Sequence, residues 1–149
     1  MRMQRIYTIL VNWNGKADTL ECLGSLAQMK VPSGYTNSVS VVDNASTDDS
    51  VREISKKWPS VHLISNTSNL GFTGANNKAM IHALNNGADY VWLLNNDTVV
   101  DYDALTELTN AFHDASVGIA GSKIYFYKGN EYNKIRYLSK DQGRVLWYA

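Results

Sequence analysis

One cysteine, Cys22, and two prolines, Pro32 and Pro59, are all that 149 residues hold of those types. A lone cysteine excludes an internal disulfide and a cysteine-built zinc centre, and it points to a reducing, cytoplasmic setting. Charge of one sign is missing too: 14 basic and 14 acidic side chains cancel to a net charge of zero. With no basic stripe along the chain, nucleic acid is not an expected partner. No apolar run approaches bilayer length, so no membrane span is expected. Met1-Arg2-Met3-Gln4-Arg5 leads into no signal-peptide core, because Asn12 and Asn14 interrupt the apolar stretch behind it. Internal repeats and low-complexity segments are also lacking. What is present, 44% hydrophobic and 19% charged residues, is ordinary for one soluble globular domain with a core of its own.

The pattern along the chain is strand, polar loop, helix, four times over. Ile6–Val11 is nearly all β-formers and breaks at Asn12-Trp13-Asn14-Gly15. A helix is expected over Ala17–Gln28, with Leu20, Leu23 and Ala27 on one face and Cys22 packed near it. Lys30–Asn37 reads as a loop, and Val39–Val42 as a second strand ending on Asp43. Asn44-Ala45-Ser46-Thr47-Asp48-Asp49 offers cap oxygens and first-turn negative charge to a helix carrying Val51, Ile54 and Trp58, which Pro59 ends. Val61–Ile64 is a third strand. Asn66–Gly74 reads as a Gly- and Asn-rich loop entering a helix with Ala75, Ala79, Met80, Ala83 and Leu84 at helical spacing, closed by Asn85-Asn86-Gly87. Tyr90–Leu94, five apolar residues, suits a strand covered on both faces. Leu105, Leu108, Phe112 and Ala115 mark a last amphipathic helix, started by Asp101 or Asp103. Val117–Tyr127 is apolar and bent by Gly118 and Gly121, and Arg144–Tyr148 is a further candidate strand.

Such alternation predicts a parallel sheet between helical layers, with the Ile6 and Tyr90 strands adjacent and the Val39 and Val61 strands beyond the first. Right-handed crossovers then bring every strand-to-helix loop to one edge. Asn12-Trp13-Asn14, Asp43-Asn44, Asn69–Gly74 and Asn95-Asn96-Asp97 converge there. Asp97, flanked by amides and the Thr98 hydroxyl, supplies hard oxygen ligands suited to Mg²⁺ or Mn²⁺ carrying substrate phosphates. Taken alone, Asn95-Asn96-Asp97 is better read as a turn capping the next helix, and the rest of the chain tips the balance toward the ligand reading. Asp43 is either a helix cap or an acceptor for a nucleobase imide or a ribose hydroxyl. The Asn69–Gly74 loop either merely connects or lets backbone N–H groups approach phosphate or ribose. Trp13 is core or a stacking contact for a base. His62, His82 and His113 lack ligand spacing and read as structural.

Val11-Asn12-Trp13-Asn14-Gly15, Val41-Val42-Asp43-Asn44-Ala45-Ser46-Thr47-Asp48, Asn69-Leu70-Gly71-Phe72-Thr73-Gly74-Ala75-Asn76-Asn77 and Leu94-Asn95-Asn96-Asp97-Thr98 together resemble family-2 glycosyltransferases, in particular their rhamnosyltransferase-like branch. The resemblance covers Ile6 to about Tyr127. It implies a GT-A fold, a Rossmann-like three-layer α/β/α arrangement with a mainly parallel sheet. Residues 1–127 would be the nucleotide-sugar-binding core and 128–149 the start of an acceptor-side region. It also implies a nucleoside-diphosphate-sugar donor, a divalent metal, and a saccharide or lipid-linked acceptor in cell-envelope polysaccharide synthesis. The setting is the cytoplasm, at the inner face of the membrane through the parent protein. Asp43 would recognise the nucleobase, and Asn12, Trp13 and Asn14 would line the nucleotide pocket. Asn69 and Gly71 would meet base or ribose, Asn95 and Asn96 the donor, and Asp97 the metal. Asn95 stands where many members have Asp, which removes one negative charge.

The implied reaction is inverting transfer to an acceptor hydroxyl deprotonated by a carboxylate or imidazole. Nothing after Tyr127 resembles the family's acidic segment that carries this base, so a donor-binding fragment is expected. A non-catalytic nucleotide- or sugar-binding module is the alternative. A receiver-like domain would need clustered acids where Asn12-Trp13-Asn14 stands, and a nucleotidyltransferase a Gly-rich basic loop.

Overall fold

The structure, a computed structural model, describes residues 2–125 and 145–147. Four strands form a parallel sheet: β1 (Gln4–Asn12), β2 (Tyr35–Asp43), β3 (His62–Ser65) and β4 (Tyr90–Asn95), in the order β3-β2-β1-β4. This is the α/β arrangement and strand order expected. Helices α1 (Lys16–Gln28), α2 (Ser50–Lys57), α3 (Gly71–Asn85) and α4 (Ala104–Ala111) follow the strands in turn.

Period-2 alternation along β1 divides the core between two faces. Ile6 and Leu10 join Val41 and, from the helices, Cys22, Leu23, Leu26, Ile54 and Leu105 on one face. Ile9 and Val42 pack on Ala75 and Ala79 of α3 on the other. Alanine at these helical positions lets α3 lie close to the sheet. Its end is a Schellman closure: Gly87 N–H bonds the Leu84 carbonyl at 3.0 Å and Ala88 N–H the Ala83 carbonyl at 3.0 Å, with Gly87 at φ 76°. Asn85-Asn86-Gly87 therefore closes the helix as the sequence predicts.

Several elements depart from expectation. The strand β2 starts at Tyr35, because Gln4 to Tyr7 offer it parallel partners and polar Thr36, Asn37 and Ser38 are accommodated where the sheet is exposed. Gly71 to Gly74 form the first turn of α3 rather than a loop. Leu84 is 63% exposed and lies off the buried face. Among the described residues β4 pairs only with β1, so it is an edge strand; Leu93 is 44% exposed and the strand is not covered on both sides. The helix α4 begins after Asp103 and stops at Ala111, leaving Phe112 to cap it against the Tyr90 ring at 5.0 Å and Ala115 outside it. Of the Val117–Tyr127 stretch, Ile124–Tyr125 forms a strand, β5, antiparallel to β6 (Val145–Trp147). Ile119 is 92% exposed. Phe126, Tyr127, the acceptor-side segment up to Arg144, and Tyr148 lie outside the described residues.

Candidate functional site at the carboxyl edge of the sheet

The four strand-end loops meet at one rim, joined by direct hydrogen bonds. Asn44 N–H bonds the Asn12 carbonyl at 2.8 Å, and Asn66 N–H the Asp43 carbonyl at 2.9 Å. Beneath this backbone lacing runs a chain of side chains from β4 to β2. Asn96 Nδ2 donates to Thr19 Oγ1 at 2.8 Å, Thr19 Oγ1 to Asn12 Oδ1 at 2.8 Å, and Asn12 Nδ2 to Asp43 Oδ2 at 2.8 Å. Asn12 also donates to Ser46 Oγ at 3.1 Å and accepts Gly15 N–H at 3.2 Å. Its capacity is used in full, and it is fully buried.

Asp43 is 2% exposed, with its second oxygen accepting Ser46 N–H at 3.0 Å. Helix α2 begins only at Ser50, so Asp43 is no cap for it. Asn12 and Asp43 thus underlie the rim. Gly15 explains its own presence: a Cβ there would lie 2.8 Å from Asn96 Nδ2 and 3.3 Å from Asn12 Oδ1.

On the rim itself, Trp13 is 59% exposed, so it is not core. Asn14, at φ 53°, turns its Oδ1 to accept Thr47 N–H at 2.7 Å. Asn95 is exposed, its carbonyl accepting Thr98 Oγ1 at 2.7 Å. Asp97 is exposed, and among the described residues its carboxylate has neither a hydrogen bond nor an ion pair. No group of three His, Cys, Asp or Glu side chains among those residues would hold a metal by itself. One free carboxylate fits a cation that arrives with phosphate oxygens. Other carboxylates nearby are engaged: Asp48 with Ser50, and Asp49 with Lys16 at 2.6 Å and Arg52 at 2.6 Å. The hydrogen bond and charge of Lys16 hold the Asp49 carboxyl below the usual carboxylate range.

Asn44, which the sequence reading placed at the rim without a task, is the hub of its outer half. It is 2% exposed. Its Oδ1 accepts Leu70 N–H at 2.9 Å and Asn66 Nδ2 at 3.1 Å. Its Nδ2 donates to Asn69 Oδ1 at 2.6 Å and to the Gly71 carbonyl at 3.3 Å. Gly71 sits at φ 69°, and its N–H bonds Asn69 Oδ1 at 2.8 Å. Lys78, also missed, reaches Asn66 Oδ1 at 2.6 Å. A run of asparagines at three strand ends was the available signal. Cys22 is buried as packing, and desolvation pushes its thiol up to about 11. His62 and His82 stack on one another at 4.0 Å, away from the rim. Two cavities also lie away from it: one of about 460 Å³ beside Tyr90, Trp92, Leu105 and Phe112, and one of about 520 Å³ around Met29, Val39, Trp58 and Val61.

A mainly parallel sheet between helices, with a polar rim at its carboxyl edge, defines the class as a doubly wound α/β fold. The chain belongs to glycosyl transferase family 2, whose family model matches residues 7–147. Among solved structures, it is similar to the mannosyltransferase PcManGT of Pyrobaculum calidifontis in complex with GDP-Man and Mn²⁺. That match has 26% identity and a TM-score of 0.67 and covers 79% of this chain and 35% of that one. It is similar also to TarS of S. aureus in complex with UDP-GlcNAc, at 21% identity and a TM-score of 0.62, over 84% of this chain and 38% of that one. The fold alone is shared with a 4-diphosphocytidyl-2C-methyl-D-erythritol synthase, at 14% identity and a TM-score of 0.57, over 87% of this chain and 66% of that one. The chain thus spans little more than a third of the length of the first two of these chains. No curated protein matches it in sequence. Among the described residues no helix is long and apolar enough to cross a membrane.

Proposed function

We propose that this chain is the donor-binding part of a metal-dependent, inverting sugar transferase of the rhamnosyltransferase-like branch. It would take a nucleoside-diphosphate sugar and serve a saccharide or lipid-linked hydroxyl acceptor at the cytoplasmic side. Residues 1–127 would form the donor core, and 128–149 would open the acceptor-side region. The observation that carries the reading is the meeting of four strand-end loops on one hydrogen-bonded rim where Asp97 presents an exposed, unpaired carboxylate. The 26% identical mannosyltransferase in complex with GDP-Man and Mn²⁺ supports it.

Asp97, with phosphate oxygens, would hold the divalent cation; when bound, such a cation offsets the charge developing on the leaving nucleoside diphosphate. Trp13 offers an exposed ring to the nucleoside, and Asn14, Asn95 and Asn69 offer polar contacts to it. Gly71, with no Cβ, leaves the start of α3 open to close approach. Asn12, Asn96 and Asp43 hold these loops in place from below, so the contacting groups are preorganised. Nearby, Asp43, Asp48 and Asp49 are engaged with neighbouring groups and are not free to take an acceptor proton. The purified chain is therefore expected to bind donor while transferring sugar negligibly; robust transfer to an acceptor would refute that part.

The deciding measurement is thermal unfolding with UDP-, GDP- and dTDP-sugars, with and without Mn²⁺. At least one should raise the midpoint, and only with the metal. Asp97→Asn should abolish that shift while leaving the unliganded midpoint nearly unchanged, because the exposed carboxylate holds nothing in place. A normal metal-dependent shift in Asp97→Asn would remove the metal assignment.

A further inference from the structure

The loop that carries Asp97, residues 96–103 between β4 and α4, is laid against one row of α1. Thr19, Cys22 and Ser25 follow one another at i, i+3 and i+6, the spacing of an oblique ridge on a helix. Each meets the loop or the strand end before it at a different point. Thr19 Oγ1 accepts Asn96 Nδ2 at 2.8 Å. The Cys22 thiol lies 3.8 Å from the Asn95 carbonyl and 3.9 Å from Thr98 Oγ1. Thr98 Oγ1 already donates to that carbonyl at 2.7 Å, so the thiol is the donor to either oxygen. Ser25 Oγ accepts Val100 N–H at 3.1 Å. Its own proton goes to the Cys22 carbonyl at 2.8 Å, which leaves a lone pair for the loop. Past the end of the helix, Lys30 N–H bonds the Tyr102 carbonyl at 2.9 Å.

These contacts fall on both sides of Asp97, and none of them touches its carboxylate. We propose that Thr19, Cys22 and Ser25 are positioning residues for the cation, on the reading that Asp97 holds it. By pinning Asn95, Asn96, Thr98 and Val100, they keep the loop in the conformation that presents Asp97 at the rim. With the loop unpinned, binding has to order it first, and that entropy is lost from the affinity for the metal-nucleotide complex. The three do not have equal reach. Thr19 also donates to Asn12 Oδ1 and so belongs to the frame under Asp43. The side chain of Ser25, among the described residues, is bonded to Val100 and Cys22 alone. Ser25 therefore separates the holding of the loop from the holding of the rim.

Calorimetric titration of the purified chain in Mn²⁺ with UDP, GDP and dTDP tests this. Ser25→Ala should weaken whichever of them binds by about threefold to tenfold, the span that one neutral hydrogen bond allows. Ser25→Thr, which keeps the hydroxyl, should restore the affinity. Ser25→Ala should melt close to the parent chain, because alanine favours the helix and the half-buried Val100 N–H can turn to water. Cys22 adds a readout that needs no ligand. Buried beneath the loop, its thiol meets a disulfide reagent only when the loop lifts or the chain unfolds. Ser25→Ala should be labelled about threefold or more faster than the parent at a matching thermal midpoint, and Mn²⁺ with nucleotide should slow labelling of both. Parent-like affinity or parent-like labelling in Ser25→Ala would overturn the positioning role while the donor reading stands. A loss of affinity that Ser25→Thr does not restore would overturn it too. Binding of none of the three nucleotides by the parent chain would defeat both.

Discussion

Two asparagines, Asn12 and Asn44, end adjacent strands, are equally buried and each make four hydrogen bonds, yet they sit in networks of opposite character. The Asn12 network runs inward and finishes on the Asp43 carboxylate, below the surface. Every partner of the Asn44 side chain is neutral, and its network reaches exposed Asn69 directly and exposed Lys78 through Asn66. A residue type does not decide between frame and contact; the end at which its hydrogen-bond chain meets solvent does. The inner chain fixes the loops from β4 across to β2, and the outer one ties the loop before α3 to the end of β2.

The contrast breaks first at Asn12. Asn12→Ala strips a partner from Asp43, Thr19 and Gly15 at once in a buried place, and should lower stability by about 3 kcal/mol in urea unfolding. Asn44→Ala leaves only neutral groups unpaired, so about 2 kcal/mol is expected in the same assay. A loss at Asn44 equal to or above that at Asn12 would erase the distinction between charged and neutral ends. Gly71→Ala meets no atom within 4 Å but must hold φ near 69°, so backbone strain alone should remove about 1 kcal/mol. Ala45, with φ 64° in the loop that carries Ser46 to Asp43 and Asn12, already bears that strain. Ala45→Gly should stabilise by about 0.5 kcal/mol, the relief being partly offset by the greater freedom of glycine in the unfolded chain. Comparing its thermal midpoint with the parent's checks the sign.

The strand order was legible because alternating β-rich runs and amphipathic helices leave few topologies once crossovers are right-handed. The convergence of Asn12, Asp43, Asn69 and Asp97 follows from the same rule. Element limits were less legible. Polar Thr36, Asn37 and Ser38 give β2 no hydrophobic signature, and they join it because β1 supplies backbone partners. An apolar run such as Tyr90–Leu94 looks alike whether it lies inside a sheet or at its edge, since the sequence does not name the neighbour. Site depth was hidden too. Asn12 and Trp13 are adjacent in sequence, but the first is the buried last residue of β1 and the second lies exposed in the bend beyond it. Lys78 lies two helical turns from Gly71, and only the α3 geometry brings it to Asn66.

The open side of β4 bears on how this polypeptide behaves in a concentrated solution. Tyr90-Val91-Trp92-Leu93-Leu94 carries no charge and no proline, and among the described residues its outer backbone groups have no strand beside them. Uncharged, β-prone edges of this kind template intermolecular pairing, and natural proteins commonly guard them with lysine or a covering segment. The isolated chain should therefore self-associate as its concentration rises, detectably by light scattering. A lysine at the half-exposed edge position, Leu93→Lys, should suppress that association.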